Sequence, residues 1–144
     1  MRDSESDDIV MLVSRTLSPF IMLFALYVIF HGHYSPGGGF QGGTMLAAAV
    51  ILIRLAAGMD IAQLQFPRAL GMPLGAVGVL IYFGTGVAAM LGGGSFLDYA
   101  YLPLPGTAAA LRSLGILFVE VGVGLAVVGI LVSIYDDLLE AGER

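Results

Sequence analysis

Between two uncharged apolar runs lies the stretch His31-Gly32-His33-Tyr34-Ser35-Pro36-Gly37-Gly38-Gly39-Phe40-Gln41-Gly42-Gly43, which constrains the fold of this chain more than any other. It holds both histidines and packs five of the 21 glycines into Gly37 to Gly43. Leu17 to Phe30 before it and Thr44 to Ile53 after it carry no charge. Each glycine costs a helix about 1 kcal/mol relative to alanine, and each permits positive φ and close backbone approach. The stretch therefore makes an irregular crossing between two membrane-length helices.

The composition excludes a water-facing surface. Hydrophobic residues make up 58% of the chain and charged residues 12%, against about 25% charged in a soluble domain. Cysteine is absent, which removes disulfides, zinc clusters and iron–sulfur ligation. The net charge of −5 comes mostly from the two tails and opposes nucleic-acid binding, which needs a basic face. The acidic start, Met1 to Asp8, lacks the basic region of a secretory signal.

Four spans are expected, at about residues 16–32, 41–57, 72–92 and 114–135, each long enough for a hydrocarbon core of about 30 Å. The fold class is thus all-α integral membrane, a single domain over residues 1–144, with a glycine-rich connector between the first and second spans. Arg15 and Pro19 interrupt the first apolar segment. Arg15 is read as snorkelling to the headgroups, and Pro19 as tolerated near a helix start. Residues 60–70 read as an interfacial connection, and 94–113 as a loop whose Phe96, Tyr99 and Tyr101 suit the membrane interface. Gly71, Gly75, Gly78, Thr85, Ala89 and Gly93 line one face of the third span at spacings that allow close helix packing. With four spans, Arg2, Arg15, Arg54, Arg68 and Arg144 fall on one side and Arg112 on the other. The positive-inside rule puts both termini in the cytoplasm.

Glu120 is the only acidic residue inside an expected span, roughly 9 Å from its start at Leu114. Such a residue must be protonated, paired, or turned to water or protein, and marks an ion or proton path by default. The plain alternative is a carboxyl making one interhelical hydrogen bond. Gly115, Gly122, Ala126, Gly129 and Ser133 form a small-residue stripe on the same helix, and Glu120 stands about 160° from Gly122. If one of these faces packs within the chain, the other is expected to meet a different protein.

The remaining motifs carry less. His31 and His33 lack cysteine or carboxylate companions for a metal site, and are read as fixing the helix end. Gly37, Gly39 and Gly42 match G-x-G-x-x-G, but the nucleotide fingerprint needs a preceding strand. Arg54 reads as a snorkelling end of the second span. No cofactor, no metal and no catalytic group are expected.

Gly32-His33-Tyr34-Ser35-Pro36-Gly37-Gly38-Gly39-Phe40-Gln41-Gly42-Gly43 resembles the hallmark G-H-x-[ST]-P-G-G-G-F-Q-G-G of the MrpB (MnhB) component of multi-subunit sodium/proton antiporters. The same module occurs in membrane arms of energy-converting hydrogenases. The resemblance extends to the four-span layout and to an acidic residue in the last span, here Glu120. It implies an accessory membrane subunit, without catalytic activity of its own, that works beside other subunits in a complex exchanging Na+ for H+. On this reading Glu120 is expected to take part in an ion path at a subunit interface, with His33 and the connector shaping its mouth or locking two subunits together, and Gly32 and Pro36 to Gly43 are the structural motif. Three rivals remain at this point: the equivalent subunit of a redox-driven complex, a stand-alone four-helix proton-coupled exporter, and a purely structural scaffold with no ion contact.

Overall fold

A computed structural model describes residues 2–32, 34 and 37–142. His33, Ser35 and Pro36 of the connector lie outside the described residues. Among the described residues five α-helices are present: α1 (Arg2–Phe30), α2 (Gly38–Ala57), α3 (Met59–Gln65), α4 (Gly71–Leu91) and α5 (Ala108–Gly142). Short 3-10 turns at Arg68–Leu70 and Tyr99–Tyr101 complete the described architecture. Four helices are long and apolar enough to cross a membrane, as expected, and α3 occupies the connection between the second and third.

The helix bounds depart from expectation at three places. The acidic tail continues α1 from Arg2, so Pro19 stands inside a 29-residue helix rather than near its start. Proline removes one N–H from the ladder, and membrane helices tolerate this where neighbours and hydroxyl side chains support the backbone. The hydroxyls of Thr16 and Ser18 are engaged there, on Leu12 O at 2.8 Å and on Ala49 O of α2 at 3.0 Å. Helix α2 begins at Gly38, inside the glycine cluster. Helix α5 begins at Ala108, because Thr107 caps it through Oγ1, accepting from Ala110 N at 3.3 Å. Its 35 residues reach beyond both ends of the expected span.

Glycine decides which helices touch. A Cβ on Gly129 would lie 2.5 Å from Gly71 O and 2.6 Å from Gly75 N, and one on Gly122 would lie 2.8 Å from Gly78 O. The stripe of α5 thus packs on the small-residue face of α4, running antiparallel, as close approach in lipid requires. On another face α5 runs parallel to α2, with Gly43 against Gly124 and a buried seam of Ala47, Val50, Val128 and Val132. Helix α1 lies antiparallel on α2, with Ile29 and Ala25 against Gly42. Helix α5 therefore has neighbours on two sides. Phe20, Leu23, Phe24, Leu80 and Phe83 face outward, where lipid would meet them.

The aromatic residues of the 92–107 loop do more than mark an interface. The rings of Phe96, Tyr101 and Tyr99 pack onto Gly86, Gly94 and Gly115, while Gly92 admits the Tyr101 backbone carbonyl. Each ring fills a notch that only glycine leaves open.

Candidate functional site

The Glu120 carboxylate faces the first turn of α2, where the Gly39 N–H donates to its Oε2. A helix start carries N–H groups with no intrahelical partner and a partial positive charge. Both features compensate a carboxylate there, and so meet the cost of placing it inside a span.

The connector glycines make this approach possible. A Cβ on Gly38 would collide with the carboxylate itself. One on Gly39 would lie 2.8 Å from the Glu120 carbonyl carbon, and one on Gly32 would lie 3.0 Å from its carboxyl carbon. Gly37 and Gly38 hold positive φ angles of 122° and 48°, which glycine adopts without strain. The next two glycines admit neighbouring helices: Gly42 takes Ile29 and Gly43 takes Gly124. Gln41 folds back over Gly37, and Phe40 points outward beside an apolar groove lined by Ala126, Val127, Ile130 and Leu131. His31 stacks on Tyr27 at 4.1 Å between ring centroids, with Nδ1 3.1 Å from Tyr27 O, as a helix-end role requires.

So the structure brings Glu120, Gly32, Gly38 and Gly39 together, and leaves Gly37, which meets Gln41, and Phe40 outside the group. It also overturns the inference that one of the two α5 faces must meet a different protein. The stripe packs on α4 and Glu120 packs on α2, both within the chain. That inference assumed one internal neighbour for α5, and it has two.

The loop after α4 closes over the same end of the molecule. Tyr99 packs on Gly115, one and a half turns before Glu120. Burial holds its phenol above the ordinary value, reinforced by the nearby Tyr82 and Glu120.

The opposite end of the α2–α5 seam holds a site that sequence reasoning missed. Arg54 does not snorkel to water. It is 2% exposed and forms an ion pair with Asp136, also 2% exposed. Arg54 Nη2 donates to Phe66 O at 2.9 Å, and its guanidinium lies 5.8 Å from the Phe66 ring centroid. Arg68 follows on the surface, with Nη2 donating to Asp137 at 3.0 Å and Glu140 at 2.6 Å. The signal was present as opposite charges at the same end of two adjacent spans. In the sequence Asp136 falls together with Asp137, Glu140 and Glu143 in an acidic end, which reads as a solvated charge run.

The parallel helices α2 and α5 are thus tied at both ends by polar contacts, Glu120 to Gly39 and Asp136 to Arg54. Small apolar residues fill the seam between them.

A family model described as a domain related to the MnhB subunit of the Na+/H+ antiporter matches residues 9–133, which include the connector and Glu120. The chain is 33% identical over 137 residues to a protein named as the B-type subunit of a Na(+)/H(+) antiporter from Alkalihalophilus pseudofirmus, covering 89% of this chain and 94% of that one. It is 31% identical over 137 residues to a protein of the same name from Bacillus subtilis, covering 89% and 95%. With its four membrane-length helices and a match over most of its length, the chain is a multi-pass membrane protein that belongs to the MnhB-related family of Na+/H+ antiporter subunit domains.

Proposed function

We propose that this chain is an accessory subunit of a multi-subunit Na+/H+ antiporter of the cell membrane. It acts beside other subunits of that complex and keeps both termini in the cytoplasm. Its relatives' names support the assembly, and the arginines at positions 15 and 68 support the orientation.

The observation that carries the mechanism is the Glu120 carboxylate at the start of α2. An ionised Glu120 caps α2. A proton or cation reaching that carboxylate neutralises the charge that the helix start and the Gly39 N–H compensate. Ion occupancy is thereby coupled to the first turn of α2 and to the connector, including His33 and Pro36, that leads into it. The chain contributes to an ion path through this coupling, while the other subunits supply the rest of the route.

Glu120→Gln tests the reading. Glutamine keeps an oxygen that accepts from Gly39 and loses the charge. In membrane vesicles carrying the whole complex, exchange is expected to fall while assembly persists. Unimpaired exchange with normal assembly would reduce Glu120 to a packing group.

A further inference from the structure

Helix α1 interrupts its own backbone ladder beside a charge. Pro19 has no N–H to give the Arg15 carbonyl, the acceptor four residues before it. Arg15 and Pro19 stand one turn apart and line the same cleft of about 360 Å³, formed by α1, the end of α2 and α3. The Arg15 carbonyl lies between them on α1 and has lost its ladder donor. The neighbouring hydroxyls do not replace it, since Thr16 bonds Leu12 O and Ser18 donates to Ala49 O.

The rest of the cleft is mostly apolar. Ile53, Ile61 and Leu64 supply its walls, and Gln65 adds an amide. No carboxylate lines it, and Asp60 of α3 lines instead the cleft that holds Arg68. Among the described residues Arg15 forms no ion pair, whereas Arg54 and Arg68 are both paired. The cleft therefore offers one uncompensated positive charge, one backbone acceptor and an apolar wall.

The depth of Arg15 decides what meets it. The 20 residues of α2 span about 30 Å, the thickness of a hydrocarbon core. Ser18 bonds Ala49, and α1 and α2 run antiparallel. Arg15, three residues before Ser18, is therefore level with a point five residues short of the end of α2 at Ala57. That is about 7 Å inside the apolar layer, from which a snorkelling arginine brings its charge to the headgroups. Ile61 and Leu64, 50% and 86% exposed, turn apolar surface to the same surroundings.

The chemistry of the cleft selects among headgroups. A guanidinium fork takes a phosphate through two parallel hydrogen bonds. The single negative charge of a phosphodiester balances Arg15. A zwitterionic headgroup would bring an ammonium for which the cleft has no carboxylate. A headgroup hydroxyl supplies the donor that Pro19 withholds from the Arg15 carbonyl.

We propose that the cleft between Arg15 and Leu64 binds one acidic phospholipid whose headgroup carries a hydroxyl. Its phosphate sits on the Arg15 guanidinium, its hydroxyl on the Arg15 carbonyl, and an acyl chain on Ile61 and Leu64. The site requires only that the chain spans a bilayer, and does not depend on the exchange mechanism proposed for Glu120.

The absence of tryptophan provides the test. Leu64→Trp places a sole indole on the exposed wall of the cleft, and Leu80→Trp places one on the exposed face of α4 as a control. Each full chain is reconstituted in phosphatidylcholine vesicles, and quenching is read as acyl-brominated phosphatidylglycerol or acyl-brominated phosphatidylcholine is added. At position 64 phosphatidylglycerol is expected to bind about fivefold more tightly than phosphatidylcholine, the gain one arginine provides near an anionic surface. The ratio is expected to be about one at position 80, and to fall to about one at position 64 when Arg15→Gln is added. Brominated phosphatidylmethanol, which has the charge without the hydroxyl, is expected to bind severalfold more weakly than phosphatidylglycerol. Equal quenching by phosphatidylglycerol and phosphatidylcholine at position 64 would overturn the site, as would a preference that survives Arg15→Gln or appears equally at position 80. Equality of phosphatidylmethanol with phosphatidylglycerol would overturn the part given to the Arg15 carbonyl. Relief of the quenching by glycerol phosphate in the aqueous phase would overturn the lipid assignment in favour of a soluble phosphate ester. Exchange activity enters none of these measurements, so their outcome is separate from that of Glu120→Gln.

Discussion

Asp136→Asn keeps the side chain's shape and removes its charge. Arg54 then remains charged at 2% exposure. The amide oxygen can still accept from it, but the negative charge is gone, and beside it stand the Phe66 carbonyl at 2.9 Å and the Phe66 ring at 5.8 Å. Losing one partner of a buried pair costs about 3–5 kcal/mol. At about 1.4 kcal/mol per decade, that is a factor of roughly 10² to 4 × 10³ in the folding equilibrium. The paired change Arg54→Met with Asp136→Leu removes both charges and their desolvation together. It is expected to fall within about 1 kcal/mol of the natural chain, since well-packed apolar pairs often replace buried ion pairs at little cost. The assay is unfolding of the purified chain in mixed micelles by titration with dodecyl sulfate, followed by circular dichroism. A single variant within about 1 kcal/mol of the natural chain would refute the reasoning, because an orphaned buried charge cannot be that cheap. A double variant as unstable as the single would refute it too, since the loss would then come from packing and not from charge.

Two further outcomes follow from the same geometry. Gly39→Ala puts a Cβ into the Glu120 backbone and is expected to separate α2 from α5. Gly84→Ala, where nothing lies within 4 Å, is expected to stabilise α4 by about 0.5–1 kcal/mol. The same micelle unfolding compares them, and equal effects would remove the argument from close approach. Tyr99 makes the chain sensitive to alkali. Its phenol is held above the ordinary value by burial, so the folded state keeps it neutral where the unfolded chain ionises. This contribution is fully present below about pH 10 and is lost as pH rises through the folded value. Tyr99→Phe should flatten that alkaline fall in a plot of stability against pH. An unchanged slope would exclude Tyr99 as its source.

Part of this molecule was legible because the signals were local. Uncharged runs of membrane length announce helices, whichever neighbours they later find. The spacing of Gly71, Gly75, Gly78, Thr85 and Ala89 marks a face for close packing, and all five are buried in the fold; Gly93, the sixth of the series, falls past the end of α4 and is exposed. The glycines of the connector announce positive φ and near contact, and Gly37 and Gly38 adopt it. The start of α5 was also written locally, in Thr107 and the alanines after it, but the prolines before it drew the eye to a loop.

What the sequence by itself determined was therefore the number of spans, the faces that pack and the place where the backbone must bend. These depend on hydropathy, periodicity and steric freedom, which act over a few turns. Tertiary structure alone decided which face meets which helix. It set Glu120 on the α2 start, 81 residues away in sequence. It also paired Arg54 with Asp136, which hydropathy reads as two unrelated polar ends. Periodicity states that a helix face is small or charged. Only the arrangement of helices around α5, with one neighbour on each of two faces, states what that charge is paired with and whether water reaches it.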